Sequence, residues 1–280
     1  MSHSSRRGLP VNPTHADWGD NWRRKVERRA AQPLGARDWD SRAGRFATMA
    51  AELDRLRDPL ARALSDGVRG TDTVLDVGAG AGRFALPLSE LAARVTAVEP
   101  SAGMRASLEA ALAERGISNV TVVPGVWQDV EIQPHDVVLC AHVAYFVADI
   151  VPFIEKLDAA ALRSCYVYLR VQGHEAPLLS LWEEIHGVGF PSEPGLADLY
   201  PLLLSMGIRA NVSIATEERG AYPDLDAAVA QARLTLELSE GQHAHDGRIR
   251  EFLGQELVPG AGGLRFPYPS QTAVVWWEKG

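Results

Sequence analysis

The stretch Thr73-Val74-Leu75-Asp76-Val77-Gly78-Ala79-Gly80-Ala81-Gly82-Arg83 decides the fold. Its first five residues form a short, mostly apolar run that suits a buried strand. Three glycines at alternate positions follow, and then a helical pattern over 83–93 (RFALPLSELAA). Glycine lets backbone approach a ligand closely, and a helix start offers N–H groups that lack intrahelical partners. Strand, glycine turn and helix therefore make a place to hold a nucleotide-like ligand. The dinucleotide fingerprint G-x-G-x-x-G would need glycine at 83, where Arg83 stands and would obstruct a pyrophosphate. A P-loop would need Gly-Lys-Ser/Thr, which does not follow.

Outward from this stretch the pattern repeats. RVTAVEP (94–100) reads as a strand that ends in Glu99, seventeen residues past Gly82. A carboxylate at that strand end can accept both hydroxyls of a ribose. Residues 101–116 form a helix with a serine N-cap and a closing glycine. Strands follow at 120–125, 135–142 and 164–171, with a helix over 149–163 between the last two. Strands alternating with helices imply βαβ units and a parallel sheet, and strands apolar throughout imply helices on both faces. Beyond Val171 the spacing predicts helices at 176–187 and 195–206, a strand at 208–215, helical patches at 224–239 and 246–257, and a final strand at 272–278. Upstream, 1–15 reads as disordered, 16–31 as a charged helix, and 43–64 as helical. The expected organisation is an N-terminal arm and helix over 1–42, partly disordered, then one domain over 43–280 with a helical insertion at about 217–270.

The chain resembles the class I S-adenosylmethionine-dependent methyltransferases. The residues that carry the resemblance are Asp76 to Gly82, then Val98-Glu99-Pro100-Ser101 with Met104, then Gly125-Val126-Trp127-Gln128-Asp129, then Asp136-Val137-Val138-Leu139. It implies an α/β fold with a seven-stranded, mostly parallel sheet ordered 3-2-1-4-5-7-6, the last strand antiparallel, and helices on both faces. The implied cofactor is S-adenosyl-L-methionine, with S-adenosyl-L-homocysteine as product. The turn at Asp76, Gly78, Ala79 and Gly80 would hold its methionine part. Glu99 and Pro100 would take the ribose, and Met104 would lie near adenine. Val126 stands where an acid often meets the adenine amine, so Trp127 and Gln128 are expected to substitute by stacking and amide hydrogen bonding. Ala141 completes the expected cofactor contacts.

Composition narrows the function further. At 280 residues and 46% hydrophobic the chain can bury a large core, in one large α/β domain or two small ones. The net charge of −8 is unevenly placed: residues up to Arg45 carry +5 and the remainder −13. A basic arm could serve nucleic acid, but Trp18 and Trp22 at i,i+4 point to a helix packed on the body. The acidic body and the lack of an Asn/Asp-Pro-Pro-Tyr/Phe motif after strand four disfavour nucleic acid. Cys140 and Cys165 lie in apolar runs, which fits a reducing compartment and no disulfide framework. The polar N-terminus lacks an apolar export signal. The longest apolar stretch, Val137 to Ile154, contains His142, Asp149 and Pro152 and reads as strand turning into helix rather than a membrane span. The expected location is cytoplasmic.

The expected activity is methyl transfer to a small-molecule acceptor by in-line displacement without a metal. An RNA or protein methyltransferase, a non-catalytic cofactor-binding protein and a nicotinamide enzyme remain as alternatives. His142 and Tyr145, where the fourth strand ends, are the catalytic candidates, His142 as base or as a group that orients the acceptor. Residues 35–50 are expected to cover the cofactor or acceptor pocket. His243-Ala244-His245-Asp246 reads as a solvated turn rather than a metal site.

Overall fold

The computed structural model describes residues 13–31, 39–51, 58–171, 176–217, 220–238, 241 and 243–279. The expected disorder at the start of the chain falls mostly outside these residues.

The N-terminal part is helical: α1 (His15–Ala30), α2 (Trp39–Ala51) and α3 (Pro59–Gly67). The alternating core then runs β1 (Thr73–Val77), α4 (Ala85–Leu88), β2 (Arg94–Glu99), α5 (Ala102–Arg115), β3 (Val120–Pro124), β4 (His135–Ala141), α6 (Ile150–Ala160) and β5 (Ala161–Arg170). The chain continues with α7 (Leu179–His186), α8 (Leu196–Ser205), β6 (Asn211–Glu217), α9 (Leu225–Thr235), α10 (Asp246–Glu256), β7 (Val258–Gly260), β8 (Gly263–Arg265) and β9 (Ser270–Glu278). Seven strands form one sheet in the order β3-β2-β1-β4-β5-β9-β6. β9 is antiparallel to both of its neighbours and the other pairs are parallel. With the small β7–β8 hairpin set aside, β9 is the seventh strand, so order and polarity are those expected.

Alternate residues of the strands face two apolar layers, because side chains along a strand alternate between faces. Leu75, Val77, Val138, Cys140, Val167 and Leu169 pack beneath α1, α6 and α8. Val74, Val95, Val137, Leu139, Tyr166 and Tyr168 pack against α3, α4 and α5. A third core joins Leu181 and Trp182 of α7 to Val229, Ala232, Ile249, Leu253 and Phe266. The segment after β6 thus shares its core with α7, across the intervening α8 and β6.

Several boundaries differ from the sequence expectation for local reasons. The helix expected over 83–93 is regular only at Ala85–Leu88. Pro87 has no N–H to give the Arg83 carbonyl, although Leu86, Leu88 and Ala92 each bond four residues back. The strand expected from 208 begins at Asn211. Gly207 takes φ +82 after α8 and the Ile208 N–H returns to the Leu203 carbonyl, so the helix cap consumes those residues. The boundary expected at 42 falls inside α2, whereas α1 packs on the body as Trp18 and Trp22 led to expect: Trp22 is fully buried and its Nε1 donates to the Val147 carbonyl at 2.8 Å. Among the described residues no helix is long and apolar enough to cross a membrane.

Candidate functional site

The carboxyl ends of β1, β2, β4 and β5 converge, where α/β sheets place ligands. The glycine turn is fastened to β2, with the Gly78 and Ala79 N–H groups donating to the Val98 carbonyl at 2.8 and 3.1 Å. Gly78 has φ +75, and a Cβ there would stand 2.3 Å from Val143 Cγ2. Gly80 has φ +57, yet a Cβ there would meet nothing within 4 Å. Gly78 is glycine because neighbours crowd it, whereas Gly80 borders open space in which a ligand can rest.

Two carboxylates flank that space. Glu99 is buried and receives the Gly80 N–H at 2.8 Å and the Ser101 N–H at 2.9 Å. Each oxygen keeps lone pairs for further donors such as ribose hydroxyls. Burial raises its pKa, opposed by those amides and by Arg105. Asp76 is buried with no hydrogen bond to Oδ2. Burial first and the Glu99 charge second push its pKa up to about 7. A buried acceptor without a donor is costly. A ligand carrying cationic or N–H groups would satisfy it.

Met104 is buried with Ala43 and Ala81, beneath Trp39, Phe46 and Ala47. This places α2 over the start of α5. Asp40 holds it there, accepting the Ser101 hydroxyl at 2.6 Å and the Gly103 N–H at 2.9 Å, bonds that lower the Asp40 pKa. Residues 39–50 of the expected cover thus lie beside the turn, and 35–38 lie outside the described residues. Pro100 is exposed, and Ala141 ends β4 opposite Tyr168.

Trp127 departs from its expected role. The indole is 4% exposed, packs into the core beneath α6, and has Lys156 Nζ 4.6 Å from its ring centroid. The same ammonium binds the carbonyls of Trp127, Gln128 and Val130. Trp127 therefore braces the turn after β3 and offers no free face for stacking. Val126, Gln128 and Asp129 are the exposed side chains of that turn.

The fourth-strand exit holds a second group. His142 takes φ +58, uncommon for a residue with a Cβ and frequent at functional sites. Its N–H bonds the Tyr168 carbonyl at 2.8 Å and its ring lies 4.7 Å from the Tyr168 ring. The Tyr145 hydroxyl accepts the Arg170 N–H at 3.1 Å and lies 2.6 Å from His142 Nδ1. Nδ1 is the one acceptor within hydrogen-bond distance of this buried hydroxyl among the described residues, so the hydroxyl donates its proton to Nδ1. Nδ1 is then the acceptor and Nε2 carries the ring hydrogen, an assignment made from the hydrogen-bond chain. Burial, then the Arg170 and Arg83 charges, lower the imidazole pKa to about 3, and burial raises that of Tyr145 to about 12. Such a ring donates from Nε2 near neutrality. Of the two expected roles for His142, orienting an acceptor fits this tautomer and removing a proton does not.

Sequence reasoning passed over Arg170 and Tyr168, and took Arg83 only as an obstacle to a pyrophosphate. Arg83, which breaks the dinucleotide fingerprint, pairs with Asp58 at 2.8 Å, and Asp58 also caps α3. Arg170 could have been noticed as the charge that ends the apolar strand SCYVYLR. The His243–Asp246 pair closes on itself and on Arg233, which leaves Asp246 occupied.

Comparison with known proteins bears on the fold that carries this site. Residues 74–173 match the family described as methyltransferase domain. The chain is 29% identical over 249 residues to an uncharacterized protein of Haemophilus influenzae, covering 86% of this chain and 88% of that one. Among solved structures it is similar to the YcgJ protein of Bacillus subtilis, with TM-score 0.54 and 12% identity over 85% of this chain and 98% of that one. It is also similar to a putative methyltransferase of Bacillus halodurans, with TM-score 0.51 and 12% identity over 85% and 99%. These two likenesses are likenesses of fold. Over residues 74–173 the chain is thus similar to methyltransferase domains.

Proposed function

We propose that the protein binds S-adenosylmethionine across the 76–82 turn and Glu99, and transfers its methyl group to a small-molecule acceptor above the ends of β4 and β5. The observation that carries the cofactor site is the pairing of open space at Gly80 with two buried acids, one bearing an unpartnered oxygen. Asp76 and the turn amides would meet the methionine part, and Glu99 the ribose. The cofactor supplies an electrophilic methyl on a sulfonium. The protein's contribution is alignment, which can supply on the order of 7–11 kcal/mol. His142 would orient the acceptor from Nε2, Tyr145 would hold the ring tautomer, and Trp39 against Phe146, at 5.2 Å between ring centroids, would limit water.

The small-molecule assignment is supported by where the cations of α1 go. Arg23 pairs with Asp149, Lys25 with Asp198 and Arg29 with Glu237, while Arg28 donates to the Gly189 carbonyl. Nucleic-acid affinity rests on cations free to neutralise phosphates, and four of the five cations of α1 are engaged within the chain, the fifth, Arg24, reaching only the Asn21 side chain at 3.5 Å. The test is transfer of tritiated methyl from S-adenosylmethionine to separated fractions of a bacterial extract. Label in the small-molecule fraction is expected, and label confined to RNA or protein would overturn the assignment.

A further inference from the structure

We propose that Arg170 reads a carboxylate on the acceptor, so that the substrate is an organic acid with an apolar body. This rests on the function proposed above and names the substrate class of the same site.

Arg170 is the last residue of β5, at the rim where the acceptor would lie. Its backbone N–H is fixed by the Tyr145 hydroxyl and its guanidinium carbon lies 5.5 Å from the Tyr145 ring centroid. The side chain is thereby aimed at the aromatic group that surrounds His142. Its charge is felt by both His142 and Tyr145.

What the guanidinium lacks is hydrogen bonding. Its nearest carboxylate is Glu193 Oε2 at 3.8 Å, beyond hydrogen-bond distance. Among the described residues no side-chain N–H of Arg170 donates to a protein acceptor. Arg83 differs, because its Nη2 donates to Asp58 at 2.8 Å. Arginine presents a planar fork that matches a carboxylate in bidentate fashion. The Arg170 side chain is 34% exposed, while the Glu193 side chain is 5% exposed, so the open side belongs to the arginine. A carboxylate is the favoured anion because its two oxygens match the two parallel N–H groups of the fork, and at 3.8 Å Glu193 leaves those donors unused.

The apolar body follows from the neighbours. Tyr145 and Phe146 lie 5.6 Å apart between centroids, and Trp39 packs on Phe146 from α2. A flat or aliphatic group beside these rings would place a carboxylate toward Arg170 and its reacting atom toward His142.

The experiment titrates the protein calorimetrically with benzoate, phenylacetate and octanoate, each against its uncharged amide, with and without S-adenosylhomocysteine. At least one acid is expected to bind about tenfold or more tightly than its amide, the size expected for a hydrogen bond to a charged group. Arg170→Gln should abolish that preference and Arg170→Lys should keep part of it, both with unchanged affinity for S-adenosylhomocysteine. Equal binding of acids and amides, no saturable binding of any acid, or a preference that survives in Arg170→Gln would overturn the proposal. A variant that only melts earlier, its preference intact, would show that Arg170 merely braces Glu193. Failure of S-adenosylhomocysteine to bind is read separately and bears on the proposed function rather than on Arg170.

Discussion

Replacing His142 by glutamine gives a direct reading of the ring's protonation in the folded protein. The folded pKa is lowered to about 3, against 6.5 for an unperturbed ring. Between those values the unfolded chain binds a proton that the folded chain refuses. The stability contributed by the neutral ring is therefore full above pH 6.5 and is lost as pH falls toward 3, with a slope of up to about 1.4 kcal/mol per pH unit. Asp76 acts with the opposite sign. Its folded pKa of about 7 exceeds the ordinary 3.8, so its contribution is present below pH 3.8 and is lost as pH rises to 7. The two slopes oppose each other, and the native protein alone would show a flattened curve. Glutamine cannot titrate, so subtracting the curves isolates His142. Loss of the Tyr145 bond displaces the variant's curve uniformly and leaves the slope intact. Urea unfolding at fixed ionic strength should show the variant gaining on the native protein by about 1 kcal/mol per unit from pH 6 to 4.5. A pH-independent difference would refute the depressed pKa and reopen the role of His142 as a base.

Other perturbations probe the frame around the site. Gly78→Ala combines a Cβ 2.3 Å from Val143 with φ +75, and should destabilise by roughly 2–5 kcal/mol in urea unfolding; a change under 1 kcal/mol would mean that the turn yields freely. Arg29→Ala leaves the Glu237 carboxylate, 2% exposed, without its partner at 2.6 Å. It should cost about 3 kcal/mol, much of it restored in the double variant Arg29→Ala/Glu237→Gln; an undiminished loss in the double variant would show that packing, not charge, is responsible. Polyuridylate should show no saturable binding even at low salt, where phosphate contacts are strongest; tight, salt-sensitive binding would return α1 to the list of functional surfaces.

Much of the fold was legible because its determinants are local. The apolar runs at 73–77 and 135–141 are buried on both faces, and the capping serine and the closing glycine of α5 sit at its two ends. The order of the sheet came from the family resemblance, since no spacing within one strand dictates its neighbour. Boundaries failed where a single residue outweighed periodicity, as Pro87 did in α4 and Gly207 before β6. The hairpin of β7 and β8 carries too few residues to show alternation. In the site, Asp76 and Glu99 were legible from position, but their environments were not. Burial, an unpartnered oxygen and the amides of Gly80 and Ser101 depend on how distant segments meet. The same holds for Trp127, whose chemistry suited stacking until Lys156, from another element, occupied its face. Arg170 was visible in the sequence only as a charge ending an apolar strand, and its open fork shows in the contrast between its long contact with Glu193 and the close pair that Arg83 makes with Asp58.

The central claim, that the glycine turn and Glu99 form a site for an S-adenosyl cofactor, is tested most directly by calorimetric titration with S-adenosylhomocysteine. The native protein should bind one equivalent, and NAD should neither bind nor compete. In Glu99→Gln the amide cannot serve as acceptor on both oxygens, so affinity should fall by roughly 1.5–3 kcal/mol, about 10- to 150-fold. Unchanged affinity in that variant, or a native protein that binds NAD and leaves S-adenosylhomocysteine free, would contradict the account.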